Sequence, residues 1–191
     1  MSNHFPLHDE TSAPEPARDT LALVRADFGM IPNLERVMAS APALLKAYAS
    51  AWALYESVSL TPAERQVVYM TANVENHCAY CVAWHSLLAE RAGLSADAIE
   101  RLRQGADLTD ARLAALQRFT RAMIHTRGNP LRADLDAFLH AGFEPHQALE
   151  VVLGLAIKTM SNSTNGLTGT PLDRAVQPRA WTRPGLRDAA D

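Results

Sequence analysis

The sequence is short of several things, and each shortage excludes a class of protein. Two cysteines in 191 residues are too few for the disulfide framework that props up small secreted domains. No apolar run approaches the ~20 residues that a bilayer-crossing helix needs. No block of Lys and Arg stands out. Eighteen basic side chains face 21 acidic ones, for a formal net charge of -3, which argues against nucleic acid or an anionic membrane as the main partner. The N-terminal stretch is polar and contains prolines. It lacks the basic start and apolar core of a secretory signal, so the chain reads as soluble and cytoplasmic. Strand signals are missing too, with neither sustained period-two alternation nor a hairpin turn. What is present is 48% apolar and 20% charged residues, the balance of a globular domain able to bury its own core.

Nearly every segment carries helical punctuation. The expectation is a flexible leader over residues 1–19, then a single all-α domain of about eight helices over 20–191. Leu21, Val24 and Phe28 share one side of a first short helix, broken by Gly29 and Pro32. Asn33 can cap a second through Met38. Pro42 opens a third to about Ser57, with Leu44, Leu45, Tyr48, Trp52 and Tyr55 on one stripe. Thr61, Pro62 and Glu64 form a capping box that starts a helix to about Asn76. Helical spacing resumes from Cys78 to Ala92, where Gly93 stops it. Further helices are predicted over 95–104, 109–125 and 131–141, and a long apolar one from Pro145 to about Ser163. From Asn165 onward Gly166, Gly169, Pro171, Pro178 and Pro184 predict a mostly irregular tail.

The two cysteines, Cys78 and Cys81, sit three apart, with His85 four further on. On a helix these three lie on one face within about a turn of each other. If Cys78 starts the helix, both sulfurs sit at the positive end of its dipole, and an imidazolium at His85 would favour thiolate in the same way. Two sulfurs one turn apart can close a disulfide, and a sulfenic acid on one can be resolved by the other. Other readings exist. The cysteines could be core fillers. His77, Cys78, Cys81 and His85 could ligate zinc, although four ligands from nine consecutive residues make an awkward tetrahedron. A thioredoxin-type site would need a preceding strand, and none is legible. Of the carboxylates, Glu64 has a capping role, which leaves Glu75, three residues before Cys78, as the candidate proton relay. His125, His140 and His146 read as surface or capping residues, Trp84 and Tyr80 as core.

The run NHCAYCVAWHSLLAERAGLS resembles the alkylhydroperoxidase D / carboxymuconolactone decarboxylase-like superfamily, in particular its peroxidase-related branch with a Cys-x-x-Cys-x-x-x-His element. FGMIPNLERVMASAPALLKAYASAWALY, LTPAERQVVYMTANVENHC and SNSTNGLTGTPLD are similar to other parts of that branch, so the likeness covers about residues 20–175. It implies an AhpD-like all-α fold, homo-oligomers (dimer, trimer or hexamer) and thiol-dependent reduction of hydroperoxides without a bound cofactor or metal. Carried over, Cys81 attacks the peroxide, Cys78 resolves and His85 relays protons. The family's core pattern puts a Glu twelve positions before the first Cys, and Gln66 stands there. Gln exchanges no proton, so either Glu75 has taken over or the activity is weak. Decarboxylase members lack the cysteine pair. The expectation is an antioxidant peroxidase or disulfide reductase, re-reduced by an external dithiol. The rival reading is a redox-sensing or structural oligomer whose thiols do not turn over.

Overall fold

The computed structural model describes residues 4–184, and among these there is no β-strand. The chain runs through α1 (Glu15–Phe28), α2 (Asn33–Met38), α3 (Pro42–Tyr55), α4 (Pro62–Glu75), α5 (Ala79–Arg91), α6 (Ala96–Gln104), α7 (Ala111–His125), α8 (Arg132–His140) and α9 (Pro145–Thr168), then a 3-10 helix, Arg174–Arg179. The all-α expectation holds, with most boundaries within a residue or two. No helix of the described residues is long and apolar enough to cross a membrane.

α4 is the centre. It packs against α5, α6, α7 and α9, and Val67, Val68, Tyr69, Met70 and Ala72 are all fully buried. Its start is the capping box read from the sequence: Thr61 accepts from the Glu64 amide while the Glu64 carboxylate accepts from the Thr61 amide. Glu64 also pairs with Arg112 of α7 at 2.7 Å, tying the cap to the neighbouring helix.

Two boundaries differ from expectation. The first helix starts at Glu15, not Thr20, because prolines at its first turn fit a helix entry and Ala17 continues the buried stripe of Leu21 and Val24. The segment before it is tied down as well. Asp9 accepts from the amides of Thr11 and Ser12, and Arg36 Nε donates to the His8 carbonyl at 2.8 Å. Residues 1–3 of the expected leader and 185–191 of the expected tail lie outside the described residues. The last long helix continues past Ser163 to Thr168 and stops at Gly169, which takes a left-handed conformation with φ 59°. Gly166 does not break it. One helical glycine costs only about 1 kcal/mol, and Asn162, Thr164 and Asn165 around it are buried.

Candidate active site

The cysteines reach their positions through a tight turn between α4 and α5. Asn76 caps α4, His77 takes a left-handed backbone (φ 55°), and the Cys78 amide returns to the Asn73 carbonyl at 2.9 Å. Cys78 is thereby the N-cap of α5, and its Sγ accepts from the Cys81 amide at 3.4 Å. Both thiols are reduced and buried.

α9 crosses behind them with a polar stripe on an otherwise apolar helix. Lys158, Ser161, Asn162 and Asn165 fall on one face, and all four are buried. Asn165 Nδ2 donates to Cys81 Sγ at 3.2 Å and reaches Cys78 Sγ at 3.7 Å. Ser161 Oγ lies 3.9 Å from Cys81 Sγ. Lys158 is 1% exposed, and its ammonium lies 3.0 Å from His85 Nε2 and 5.3 Å from the centre of the Tyr69 ring. Among the described residues no carboxylate comes within ion-pair distance of it. A buried cation without a counter-charge is costly, and the group on hand to supply one is the Cys81 thiolate.

The thiol energetics follow. Burial alone pushes Cys81 up, but hydrogen bonding from Cys78, the Lys158 charge, and Ser161 and Asn162 outweigh it and bring Cys81 down to about 6. Cys78 moves the other way. Its hydrogen bond to Cys81, then burial and the neighbouring negative charge, hold it protonated. These influences favour a single negative charge on Cys81 over one on Cys78.

His85 differs from expectation. Burial first, and the Lys158 charge second, push its pKa well below the usual imidazole value, so the ring is neutral. Gln66 Oε1 lies 2.8 Å from His85 Nδ1. An amide oxygen only accepts, so Nδ1 carries the hydrogen and Nε2 turns its lone pair to Lys158. The cation beside the thiolate is Lys158, not an imidazolium. The ring is packed between Tyr69 and Trp52, with centroids 4.8 and 5.8 Å away.

Glu75 is not part of this cluster. Its carboxylate binds Arg121 at 3.0 Å and His125 at 2.8 Å, joining the end of α4 to α7, so the relay role expected for it has no supporting geometry. Its place three residues before Cys78 misleads because the His77 turn separates the two: Glu75 ends α4, while Cys78 begins α5. His125, expected as a surface or capping residue, is exposed and is its partner. Among the described residues no three His, Cys, Asp or Glu side chains are grouped to hold a metal ion.

Cys81, but not Cys78, opens onto a cavity of about 30 Å³ that His85, Lys158, Trp52, Trp84 and Tyr48 also line. One more acidic side chain lines it, Glu35 of α2, which no motif in the sequence marks out. α2 is held in place by Asp173, which accepts from the Asn33 amide, from Trp84 Nε1 at 2.9 Å and from the Tyr80 hydroxyl. The cavity continues outward into a groove of about 660 Å³ between α1, α3 and α5, sharing Phe28, Glu35, Tyr48, Trp52 and Leu88 with it.

Residues 42–122, from α3 into α7, match the carboxymuconolactone decarboxylase family. No curated protein matches the sequence. Among solved structures, the chain is similar to an uncharacterized peroxidase-related protein with an alkylhydroperoxidase AhpD core from Ralstonia eutropha JMP134. The TM-score is 0.79 at 20% identity, over 93% of this chain and 97% of that one. It is similar to a peroxidase-related protein from Silicibacter sp. TM1040, with TM-score 0.76 at 19% identity over 91% and 92% of the two chains. It is also similar to the debrominase Bmp8, solved as a cysteine-to-alanine variant with 2,3,4-tribromopyrrole, with TM-score 0.75 at 16% identity over 92% and 94%. The family match over residues 42–122 and the shared AhpD-like fold support the resemblance to the alkylhydroperoxidase D / carboxymuconolactone decarboxylase superfamily carried by the motif.

Proposed function

We propose that this protein is a thiol peroxidase. The observation that carries the reading is the split character of the cysteine pair. Cys81 feels the charge of the buried Lys158 ammonium and opens onto the cavity, while Cys78 stays protonated beside it. The Cys81 thiolate attacks the terminal oxygen of a hydroperoxide, the O–O bond breaks, and Cys81 becomes a sulfenic acid as an alcohol or water departs. The Cys78 thiol then displaces that hydroxyl as water and closes the disulfide. An external dithiol reduces the disulfide and returns both protons. His85, held by Gln66, positions Lys158. The inner cavity takes a molecule the size of hydrogen peroxide, and the outer groove has room for the body of an organic hydroperoxide. The resemblance adds that the active form is a homo-oligomer. The test is stoichiometry and turnover. Two thiols should disappear per hydroperoxide consumed, and catalysis should resume with a generic dithiol. Thiols oxidised once without turnover would favour a sensor instead.

The aromatic walls of the cavity, together with the likeness to Bmp8, favour one second reading: reductive removal of halogen from a small aromatic. There the same two thiols supply the electron pair, the carbon gains a proton and halide leaves. Release of bromide from a brominated pyrrole, with no oxidation by peroxides, would select it.

A further inference from the structure

We propose that Glu35 is the acid of this site: lining the cavity into which Cys81 opens, its carboxyl gives the proton that the departing oxygen takes when Cys81 attacks a hydroperoxide. The assignment rests on the peroxidase reading and adds a residue to it.

The placement is the first support. Glu35 is 5% exposed, and it lines both the inner cavity and the mouth of the outer groove. It is therefore where a hydroperoxide must pass and where its leaving oxygen would come to rest. The carboxylate accepts from its own backbone amide, and no other residue among those described holds it. Its Oε2 is buried with no hydrogen-bond partner among the described residues, and no ion pair joins it to Lys158. A buried carboxylate so placed would be expensive, whereas a carboxylic acid keeps one hydrogen to donate into the cavity. The fold invests in holding it there. Asp173 clamps the start of α2 to Tyr80 and Trp84 of α5, the helix that carries Cys81.

The charges around it point the same way. Lys158 faces Glu35 from α9, Cys81 and Tyr80 from α5, Tyr48 from α3, and Asp173 from the segment after α9. Burial is the main influence and raises Glu35 to about 8 against a hydrogen bond from its own amide, which lowers it, with Asp173 and Cys81 adding to the rise and Lys158 opposing. Cys81 lies near 6, so at neutral pH the charge sits on sulfur and the proton on Glu35. Such separated values in one site assign base and acid. The other hydrogens nearby are poorer donors. The Tyr80 hydroxyl is committed to Asp173, the Tyr48 phenol is made less acidic by burial, and Lys158 is held by His85.

The step balances. Cys81 thiolate, hydroperoxide and Glu35 carboxylic acid give Cys81 sulfenic acid, alcohol and Glu35 carboxylate. Sulfur loses the electron pair that the departing oxygen gains. The proton returns to Glu35 when the external dithiol restores the pair.

The experiment compares wild type and Glu35→Gln in single-turnover oxidation of Cys81. Three probes differ in what leaves: cumene hydroperoxide (an alkoxide, which needs a proton), peracetic acid (acetate, which does not) and iodoacetamide (iodide, which does not). The variant should react with cumene hydroperoxide about 10²–10⁴-fold more slowly. It should keep its rates with peracetic acid and iodoacetamide. The wild-type rate with cumene hydroperoxide should fall as pH rises through about 8, and the variant should lack that fall. Equal slowing with all three probes, or none with any, would overturn the assignment. A wild-type protein that is alkylated yet inert to both peroxides would remove the peroxidase reading itself, a visibly different failure.

Discussion

At the scale of single residues, the Cys78 hydrogen bond and then the Lys158 charge decide the chemistry of the pair. A thiol buried to 2% exposure would ordinarily resist ionisation. Here the buried ammonium and the thiolate each offset the other's desolvation. Lys158→Met keeps the length and removes the charge. The pH inflection of Cys81 alkylation should move up from about 6 toward the free-thiol value of about 8.5, with the rate at pH 7 falling by up to roughly 30-fold. His85→Ala should move the inflection less, because the imidazole is neutral and acts through the lysine. An inflection still near 6 in Lys158→Met would give the credit to the Cys78 hydrogen bond instead. Of this site, Cys78, Cys81 and His85 were legible in the sequence because one helical period fixes their mutual placement. Lys158, Asn165 and Glu35 come from chain segments tens of residues away, and only packing brings them in. A faint signal existed. Lys46 and Lys158 are the only lysines in the chain, and Lys158 follows Leu155-Ala156-Ile157, where a cation has no reason to sit unless something buried wants it.

At the scale of elements, the site depends on how closely α9 lies against α3 and α4. Gly154 makes that approach possible. A Cβ there would fall 2.7 Å from Tyr55 Oη and 2.9 Å from Val68 Cγ1, too close for either to tolerate without moving. Gly154→Ala should therefore lower stability by about 1–2 kcal/mol, the overpacking cost less the gain in helix propensity. Thermal unfolding would show this as a fall in Tm of roughly 2–8 °C for a domain of this size. Gly166, in the same helix, has nothing within 4 Å of such a Cβ, and Gly166→Ala should be neutral or raise Tm. If both variants behaved alike, the close approach would not be what holds α9 in place. The capping box at Thr61 and the glycine stop at Gly93 were readable because caps are local chemistry. The reach of α9 to Thr168 was not. Its polar residues look like a loop in sequence and become helical because their side chains find buried partners: Asn162 donates to Asn73, and Asn165 donates to the thiols.

At the scale of the whole molecule, the core was legible and the outer surface raises the remaining question. The buried side of α9 carries the polar stripe and Val151 and Ile157, while its outer side shows Leu149 at 70% and Val152 at 45% exposure. Leu54, on the α3 helix against which α9 packs, is 63% exposed. Two adjoining helices that both turn large apolar side chains outward are unusual for a monomer, since each such side chain gains about 1.5–3 kcal/mol when fully buried. A second copy of the chain would offer the same apolar surface in return, as a two-fold interface requires. The expected outcome is a stable homo-oligomer whose mass by sedimentation is a multiple of 20.8 kDa at micromolar concentration. Leu149→Arg with Val152→Arg should shift it toward smaller species, while the thiol inflection near 6, set inside the helix cluster, should stay where it is. A wild-type mass of 20.8 kDa with full thiol reactivity would refute the assembly and leave the α9 surface without a partner of its own kind.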